Sequence, residues 1–463
     1  MALASNPKEV TARKRLAFGV SLLGALWLAC GPVSAQGSGS VNLEQFIRGA
    51  LERDPEFLSA RAARDAGVEN KNIALAGLLP SVTVTASEFP DSESTIRTNL
   101  GGRSGPWSTR VYDSSNQSII IRQPLIRPRN WVAYLQGSSQ AEQAEARLRF
   151  AKYQAILRAT ELYRDHLVLG AELGALRSQL AFWQARARQL DEMRAKGLAP
   201  VTDALEATAE ESNIQREIAG KEKELAFVSS KFELLAGGAL QPARLKLTAP
   251  SVPLGAASAE LLSQVFAHNP ELRAAQNAIQ VAELEVRKIN ADHLPTVDLV
   301  GNQIYDNNAS VVALGRESKT TSLGLQLTLP IFQGGQVTSS ARQAAANLRR
   351  AQFDAQAVRH RLQNDAAKIL GEIDTAIKHL EYARKLSQYA ETNLVSIRQQ
   401  QSLGFKTSPD LLQAEFLKQK SIAEEVAAQY SWVAAEIALI ALKGGLEALH
   451  EQKAMGTLFS AGF

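Results

Sequence analysis

The side chains that usually carry catalysis or bind metals are few and scattered in this sequence. Its 463 residues include six histidines, which do not stand at the spacing of metal ligands. There is also no phosphate-binding glycine-rich loop and no serine or cysteine nucleophile motif. We therefore expect no enzyme activity, no metal site and no cofactor. We interpret the histidines as scattered residues of surfaces or walls: His166, His268, His293, His360, His379 and His450.

The most informative polar residues stand beside two glycines, Gly197 and Gly404. Each glycine follows a long helix-forming run, so we interpret both as turn residues that need a positive φ angle. Ser408-Pro409-Asp410 is a typical helix start, with serine as N-cap, proline in the first turn and an acid that favours the helix dipole. The functional groups available here are charged side chains at a turn between two helices.

Two long runs without proline must position these turns, Asn130–Ala199 and Ile331–Ser408. In the later run, apolar residues recur every three or four positions from Ile373 to Ile397, which places them on one helix stripe. A helix of about 65 residues is roughly 100 Å long, so it must lie against other helices as a coiled coil or bundle. We expect antiparallel return helices over Thr202–Leu235 and Pro409–Leu442.

Landmarks in the two halves of the chain match at nearly constant offsets, which indicates an internal duplication. Asp54-Pro55 and Pro80 match Asn269-Pro270 and Pro295 at an offset of 215. The offset is 206 between Gln123-Pro124-Leu125-Ile126 and Leu329-Pro330-Ile331-Phe332. Five later landmarks match at 207: Gly197 with Gly404, Asp203 with Asp410, Leu205 with Leu412, Ala207 with Ala414, and Gly237-Gly238 with Gly444-Gly445.

Each unit is predicted to contain short helices, two strands, a long helix and a return helix. The second helices are predicted over Pro55–Ala76 and Pro270–Ala291, each led by its proline. Period-two alternation predicts four strands, over Ser81–Glu88, Asn116–Gln123, Thr296–Tyr305 and Thr321–Leu329. Polar loops are expected over Phe89–Ser115 and Asp306–Lys319. The predicted division is a signal peptide 1–35, a first repeat 36–238, an extended linker 239–257, a second repeat 258–445 and a tail 446–463.

The amino terminus reads as a secretory signal: basic residues up to Arg15, an apolar stretch to Cys30, and small residues before a cut after Ala35. The alternative is a lipoprotein cut before Cys30. Residues 1–35 carry a net charge of +3 out of the total of +4, so the remainder gives a nucleic-acid partner no electrostatic support. No later segment has about 18 unbroken apolar residues, so we expect no membrane-spanning helix.

Four strands cannot close a barrel on their own. If these strands lie in a membrane, no edge can face lipid unpaired, so chains must share their strands. Three chains would supply twelve strands and would pool their long helices into a tube. The alternative interpretation is a soluble hairpin on a periplasmic coiled coil.

The pattern resembles the TolC-like outer-membrane efflux and secretion channels over nearly all of the mature chain. The residues that carry the resemblance are Ala267-His268-Asn269-Pro270-Glu271-Leu272, Leu294-Pro295-Thr296-Val297, Leu329-Pro330-Ile331-Phe332-Gln333-Gly334-Gly335, and Gly404 through Ala414. The resemblance implies an α+β membrane protein, with four barrel strands and long antiparallel helices per protomer. It also implies a homotrimer in the outer membrane, with a 12-stranded β-barrel and a periplasmic α-helical barrel. The partners implied are a periplasmic adaptor and an inner-membrane ABC or proton-driven transporter.

By the same resemblance, the helix-hairpin tips form a gate. The family carries a tyrosine at the position of Gln401, an arginine at Lys406, and aspartates at Asp410 and Gln413. Thr202 and Asp203 match the residues that accept links from that tyrosine and arginine. Gln401 and Gln413 depart from the pattern, so we expect a looser gate, because lysine also lacks the planar fork of arginine. Three Asp410 side chains at one axis would form a cation filter.

These observations predict a passive outer-membrane exit duct that is opened by partners supplying the energy. We expect polypeptide cargo in type I secretion. The alternatives are small-molecule or multidrug efflux, and a periplasmic coiled-coil adaptor, which would lack the β segments.

Overall fold

The structure, a computed structural model, describes residues 40–100, 103–243, 258–308 and 316–445. The predicted signal peptide with Cys30, most of the predicted linker, and the tail 446–463 with His450 lie outside these residues.

Within the described residues the elements follow the same order twice. The first series is β1 (Ser40–Val41), α1 (Leu43–Arg53), α2 (Pro55–Ala76), β2 (Ser81–Leu100), β3 (Arg103–Ile126), α3 (Pro128–Ala195) and α4 (Val201–Ala236). The second is β4 (Gln241–Pro242), α5 (Ser258–His268), α6 (Pro270–Asn290), β5 (Thr296–Asn308), β6 (Arg316–Thr328), α7 (Gln336–Ser402) and α8 (Ser408–Leu442), with a 3-10 turn at Ala291–His293 after α6.

Local sequence explains where the second helix of each series begins. The side chain of Asp54 accepts a hydrogen bond from the backbone N–H of Glu56 at 3.0 Å, and Pro55 stands in the first turn of α2. Asn269 does the same for Glu271 at 2.9 Å ahead of Pro270 and α6. Each cap satisfies a backbone donor that the helix leaves free.

The long helices confirm the coiled-coil prediction. α3 has 68 residues and α7 has 67, so each is roughly 100 Å long. From Ala355 onward, the buried residues of α7 repeat with heptad spacing, as expected for a packed seam: Ala355, Leu362, Ala366, Ile373, Ala376, Leu380, Ala383, Ala390 and Leu394.

The helices pack in a defined lateral order. α3 packs against α2 and α4 on one side and against α6 and α8 on the other, while α7 packs against α6 and α8. The order is therefore α2 with α4, then α3, then α6 with α8, then α7. In this arrangement α2, α4 and α7 stand at the two edges.

An aromatic core joins α1, α3, α4 and α8. Phe46 stacks on Phe232 with ring centroids 4.3 Å apart, and Tyr163 and Tyr430 lie 5.9 Å apart. The Tyr163 hydroxyl is 2.7 Å from the carbonyl oxygen of Ala243. His166 is buried beside this core, with its Nε2 3.1 Å from the Ser229 hydroxyl. The prediction that all histidines lie on surfaces or walls is therefore wrong for His166.

The main sheet is antiparallel with strand order β2-β3-β5-β6, and β1 and β4 form a separate parallel pair. The strands are longer than predicted, because β2 and β3 pair through most of the expected loop Phe89–Ser115. Hydroxyl pairs hold this polar extension, with Ser92 and Ser114 3.0 Å apart and Thr95 and Thr109 2.9 Å apart. Part of the second expected loop, Asp306–Lys319, is likewise strand. Backbone pairing does not require an apolar face. The strands therefore continue beyond the point where the alternating hydropathy pattern ends.

One helix in the described part of the chain, α8, is long and apolar enough to cross a membrane by length and composition. Half of its apolar window is buried in the protein, and Tyr430, Val433 and Ile437 belong to the core. The packing of α8 is that of a core helix, so the expectation of no membrane-spanning helix stays a prediction.

Candidate functional site

The first hairpin tip turns at Gly197, between α3 and α4. Gly197 has φ 71°, and the backbone N–H of Leu198 donates to the carbonyl of Met193 at 2.8 Å. Gly197 itself donates to Arg194 at 2.9 Å. This pair of bonds is a Schellman motif, which ends a helix and favours glycine at the left-handed position.

The second tip, between α7 and α8, has the same construction. Gly404 has φ 81° and donates to the carbonyl of Gln401 at 3.0 Å, while Phe405 donates to Gln400 at 2.9 Å. Nothing lies within 4 Å of a side chain added at Gly404. The backbone angle alone therefore calls for glycine at this turn.

Asp410 is occupied by the start of α8. Its Oδ2 accepts the backbone N–H of Thr407 at 2.9 Å and the Thr407 hydroxyl at 2.8 Å. The N-cap residue is Thr407, so the expectation that Ser408 serves as N-cap was wrong by one position. The helix begins at Ser408 because Asp410 at the third helical position binds back to the threonine, as in a capping box.

The same contacts set the charge of Asp410. The Thr407 backbone hydrogen bond, then the Thr407 hydroxyl, hold the pKa of Asp410 below its usual value, and the positive charges of Lys406 and Arg186 act in the same direction. Arg186 belongs to α3, so the field of the first hairpin reaches the second. The carboxylate is therefore charged at neutral pH and remains partly accessible.

The other predicted gate residues are distributed over separate helices. Thr202 and Asp203 are exposed at the start of α4, and the Thr202 hydroxyl lies 3.3 Å from Asp203 Oδ1. Lys406 and Gln413 are exposed, while Gln401 is half-buried. Among the described residues, no hydrogen bond or ion pair joins Thr202 or Asp203 to Gln401 or Lys406. The reason is the lateral order, since α4 and α7 lie at opposite edges of the layer.

Ion pairs between α7 and α8 near the tip were missed in the sequence. Lys418 pairs with Glu391, Arg398 with Glu415 at 3.4 Å, and Arg384 with Glu425 at 4.0 Å. A signal for two of them was available, because opposite charges at nearly equal distances from Gly404 meet when a hairpin folds. Glu391 and Lys418 satisfy this condition, as do Arg384 and Glu425.

No cluster that could hold a metal ion occurs in the ranges that the structure describes. Trp183 packs beside Ala187, Leu190 and Ala204 in a small cluster between α3 and α4.

Comparison with known proteins gives the family. A family model described as outer membrane efflux protein matches residues 46–237 and 261–445, which together span most of the chain. The chain belongs to this family. Its outer-membrane location follows, and its family is one of transport proteins and not of enzymes. The predicted resemblance is confirmed.

Several relatives of this outer membrane efflux protein are known. It is 25% identical to the alkaline protease secretion protein AprF of Pseudomonas aeruginosa, over 83% of this chain and 81% of that protein. It is 26% identical to the proteases secretion protein PrtF of Dickeya chrysanthemi, over 83% and 84%. The outer membrane protein TolC of Vibrio cholerae is 24% identical over 89% and 92%.

A solved structure shows the same fold. The outer membrane channel CmeC of Campylobacter jejuni superposes with a TM-score of 0.71 at 16% sequence identity, covering 89% of each chain. At this level of identity the likeness concerns the fold alone.

Proposed function

We propose that this protein is the outer-membrane exit duct of a tripartite export system. Three copies would close one 12-stranded barrel and one helical tunnel, which a periplasmic adaptor and an inner-membrane transporter would join. The observation that carries the proposal is an open four-stranded sheet whose two edges, β2 and β6, have no partner strand among the described residues.

The exposed face of the sheet supports a lipid environment. Val82, Val84, Leu323, Leu325 and Leu327 are each 63–75% exposed, and all of them stand at alternate positions of the edge strands. The opposite face carries polar residues such as Thr83, Thr85, Asn302 and Ser322. Apolar outside and polar inside is the pattern of a membrane barrel with a water-filled lumen.

The positions of the helices also support a tunnel that is closed by three copies of the chain. β2, α2 and α4 stand at one edge, and β6 and α7 stand at the other. In the described part of the chain, both helix edges expose large apolar side chains: Phe227 and Leu234 on α4, and Phe353, Tyr382 and Tyr389 on α7. A second copy beside each edge would bury these residues and complete the tube.

The proposal also concerns the kind of cargo that the duct exports. We favour polypeptide cargo of a type I secretion system, because AprF and PrtF are named for protease secretion. Small-molecule efflux is the second candidate, since BepC of Brucella suis is named an outer membrane efflux protein and is 21% identical over 89% of this chain. A periplasmic coiled-coil adaptor would lack β segments. The four-stranded sheet therefore argues against that alternative.

The test has two parts. The purified protein in detergent should have the mass of three chains, and a monomer would rule out the shared barrel. A strain lacking the gene should then lose export of one secreted protein while keeping its resistance to small toxic compounds. Loss of resistance with unchanged protein export would favour the efflux candidate.

A further inference from the structure

The internal duplication preserves strand register within one chain. Val84 pairs with Ile119 in the first hairpin, and Leu299 pairs with Leu325 in the second. Shifting the first pair by 215 and 206, the offsets of the matching landmarks, gives the second pair. Val82 with Ile121 likewise becomes Val297 with Leu327, which are also paired. The two offsets therefore carry the register of one hairpin onto the other.

The same offsets apply to the pairing that joins the two hairpins. Gln123 of β3 stands opposite Leu299 of β5. The counterpart of Gln123 is Leu329, just after β6, and the counterpart of Leu299 is Val84 in β2. Because β6 and β2 are opposite edges of an open sheet, this pair can form only between two copies.

We propose that β6 of one copy pairs antiparallel with β2 of the next, with Leu329 opposite Val84 of the partner subunit and Leu327 opposite Ala86 of the partner subunit. This register rests on the proposed shared barrel and names how it is joined. Face matching agrees with it, since Leu327, Leu329 and Val84 are 55–70% exposed and belong to the apolar face. A slip of one residue would place Leu329 opposite Thr83 of the partner subunit, on the polar face.

The register also extends to the exposed apolar segment that follows β6. Ile331 and Phe332 are 91% and 85% exposed. In the first unit the counterpart of Phe332 is Ile126, which pairs with Val297 inside the chain. The mapped partner of Phe332 is Val82 of the partner subunit. Pairing with β2 of a second copy would cover the backbone edge of this segment, as pairing with β5 does for Ile126, whose side chain stays 55% exposed.

The mapping exposes a difference between the joint inside each copy and the seam between copies. Inside, Arg127 binds Asp298 through two hydrogen bonds at 2.8 and 2.5 Å. Their counterparts at the seam are Gln333 and Thr83 of the partner subunit, and neither is charged. The seam therefore lacks the ion pair that fixes the internal joint.

Paired cysteines test the register. Cys30 is the only cysteine in the sequence, and replacing it by Cys30→Ala leaves a background without thiols. Leu329→Cys combined with Val84→Cys should form disulfides on oxidation and give a covalent ring of three chains on a non-reducing gel. The control pair is Leu329→Cys with Val82→Cys. A diagonal pair is about 7–8 Å apart, beyond disulfide reach, so little product should form.

The outcomes separate the register from the shared barrel. A trimer by mass in which only the control pair cross-links would overturn the register and leave the shared barrel standing. A protein that is monomeric in detergent and in membranes would overturn both. An inner-face pair, Thr328→Cys with Thr85→Cys, gives an independent reading of the same register and should also cross-link.

Discussion

The carboxylate of Asp298 in β5 is held by the guanidinium of Arg127, which lies between β3 and α3. Nε donates to Oδ1 at 2.8 Å, and a terminal nitrogen donates to Oδ2 at 2.5 Å. Arg122 adds a weaker contact at 3.5 Å, and only 5% of the Asp298 side chain is exposed. This fork ties the first unit to the second where the sheet gives way to helices.

Asp298→Asn should therefore weaken that junction. The substitution leaves Arg127 without its charge partner in a partly buried site, and we expect a loss of about 1–3 kcal/mol in unfolding free energy. Denaturant unfolding of the detergent-solubilised protein measures it. Asp374→Asn breaks an exposed pair with Lys378 and serves as the control, with a smaller expected loss because solvent screens exposed pairs. Equal losses for both would show that the fork has no special role.

Gly404→Ala should destabilise the second tip through its backbone angle. A non-glycine residue at φ 81° costs about 1–2 kcal/mol, and the site is open, so no steric clash contributes. Gly371→Ala, inside α7 and also with open space around it, should be neutral or stabilising by up to about 1 kcal/mol. Amide hydrogen exchange over residues 398–412 reports the local change. A tip that exchanges equally in both variants would contradict the turn assignment.

Asp410→Ala should loosen the start of α8. It removes the acceptor of two Thr407 hydrogen bonds, and a lost cap costs about 0.5–2 kcal/mol. The change should appear as faster amide exchange at the first turn of α8, with α4 unaffected.

The pH dependence of the same cap follows from the lowered pKa of Asp410. A depressed carboxyl pKa contributes stability that is full above the usual value of 3.8 and is lost as pH falls through the lower value of the folded protein. Exchange at the start of α8 should therefore be constant from pH 7 down to about 5 after correction for intrinsic rates. A transition near neutral pH would contradict the assignment.

Asp410 should also govern the response to cations. If three copies bring this carboxylate toward one axis, Asp410→Ala should weaken block by divalent cations added to the periplasmic side. Asp374→Ala removes an exposed carboxylate of α7 far from the tip and is the control, which should leave the block unchanged. Unchanged cation block in Asp410→Ala would show that Asp410 does not act as a cation filter, and its capping role would stand.

The elements that bury a stripe could be predicted from the sequence. Hydrophobic periodicity predicted the heptad residues of α7 and the apolar half of each strand. Proline predicted the starts of α2 and α6. The polar halves of β2 and β3 show no such periodicity, because backbone pairing and hydroxyl pairs such as Ser92 with Ser114 hold them together.

The tips were predictable only in part. Glycine at a helix end and an acid after proline located the turns, but Thr407 rather than Ser408 forms the cap because of side-chain geometry that spacing does not encode. The links expected from Thr202 and Asp203 to Gln401 and Lys406 depend on which helices become neighbours. Within one chain α4 and α7 are kept apart by α3 and α8, so those links remain a prediction for the assembled protein.

The most direct test of the exit duct is electrical. The purified protein, checked for the mass of three chains, is added to a planar lipid bilayer and single-channel current is recorded at fixed voltage. We expect discrete conductance steps, small in the resting protein and larger when Glu391→Lys and Glu415→Lys together break two of the three ion pairs between α7 and α8. A trimer that inserts into the bilayer and passes no current in either form would contradict the account.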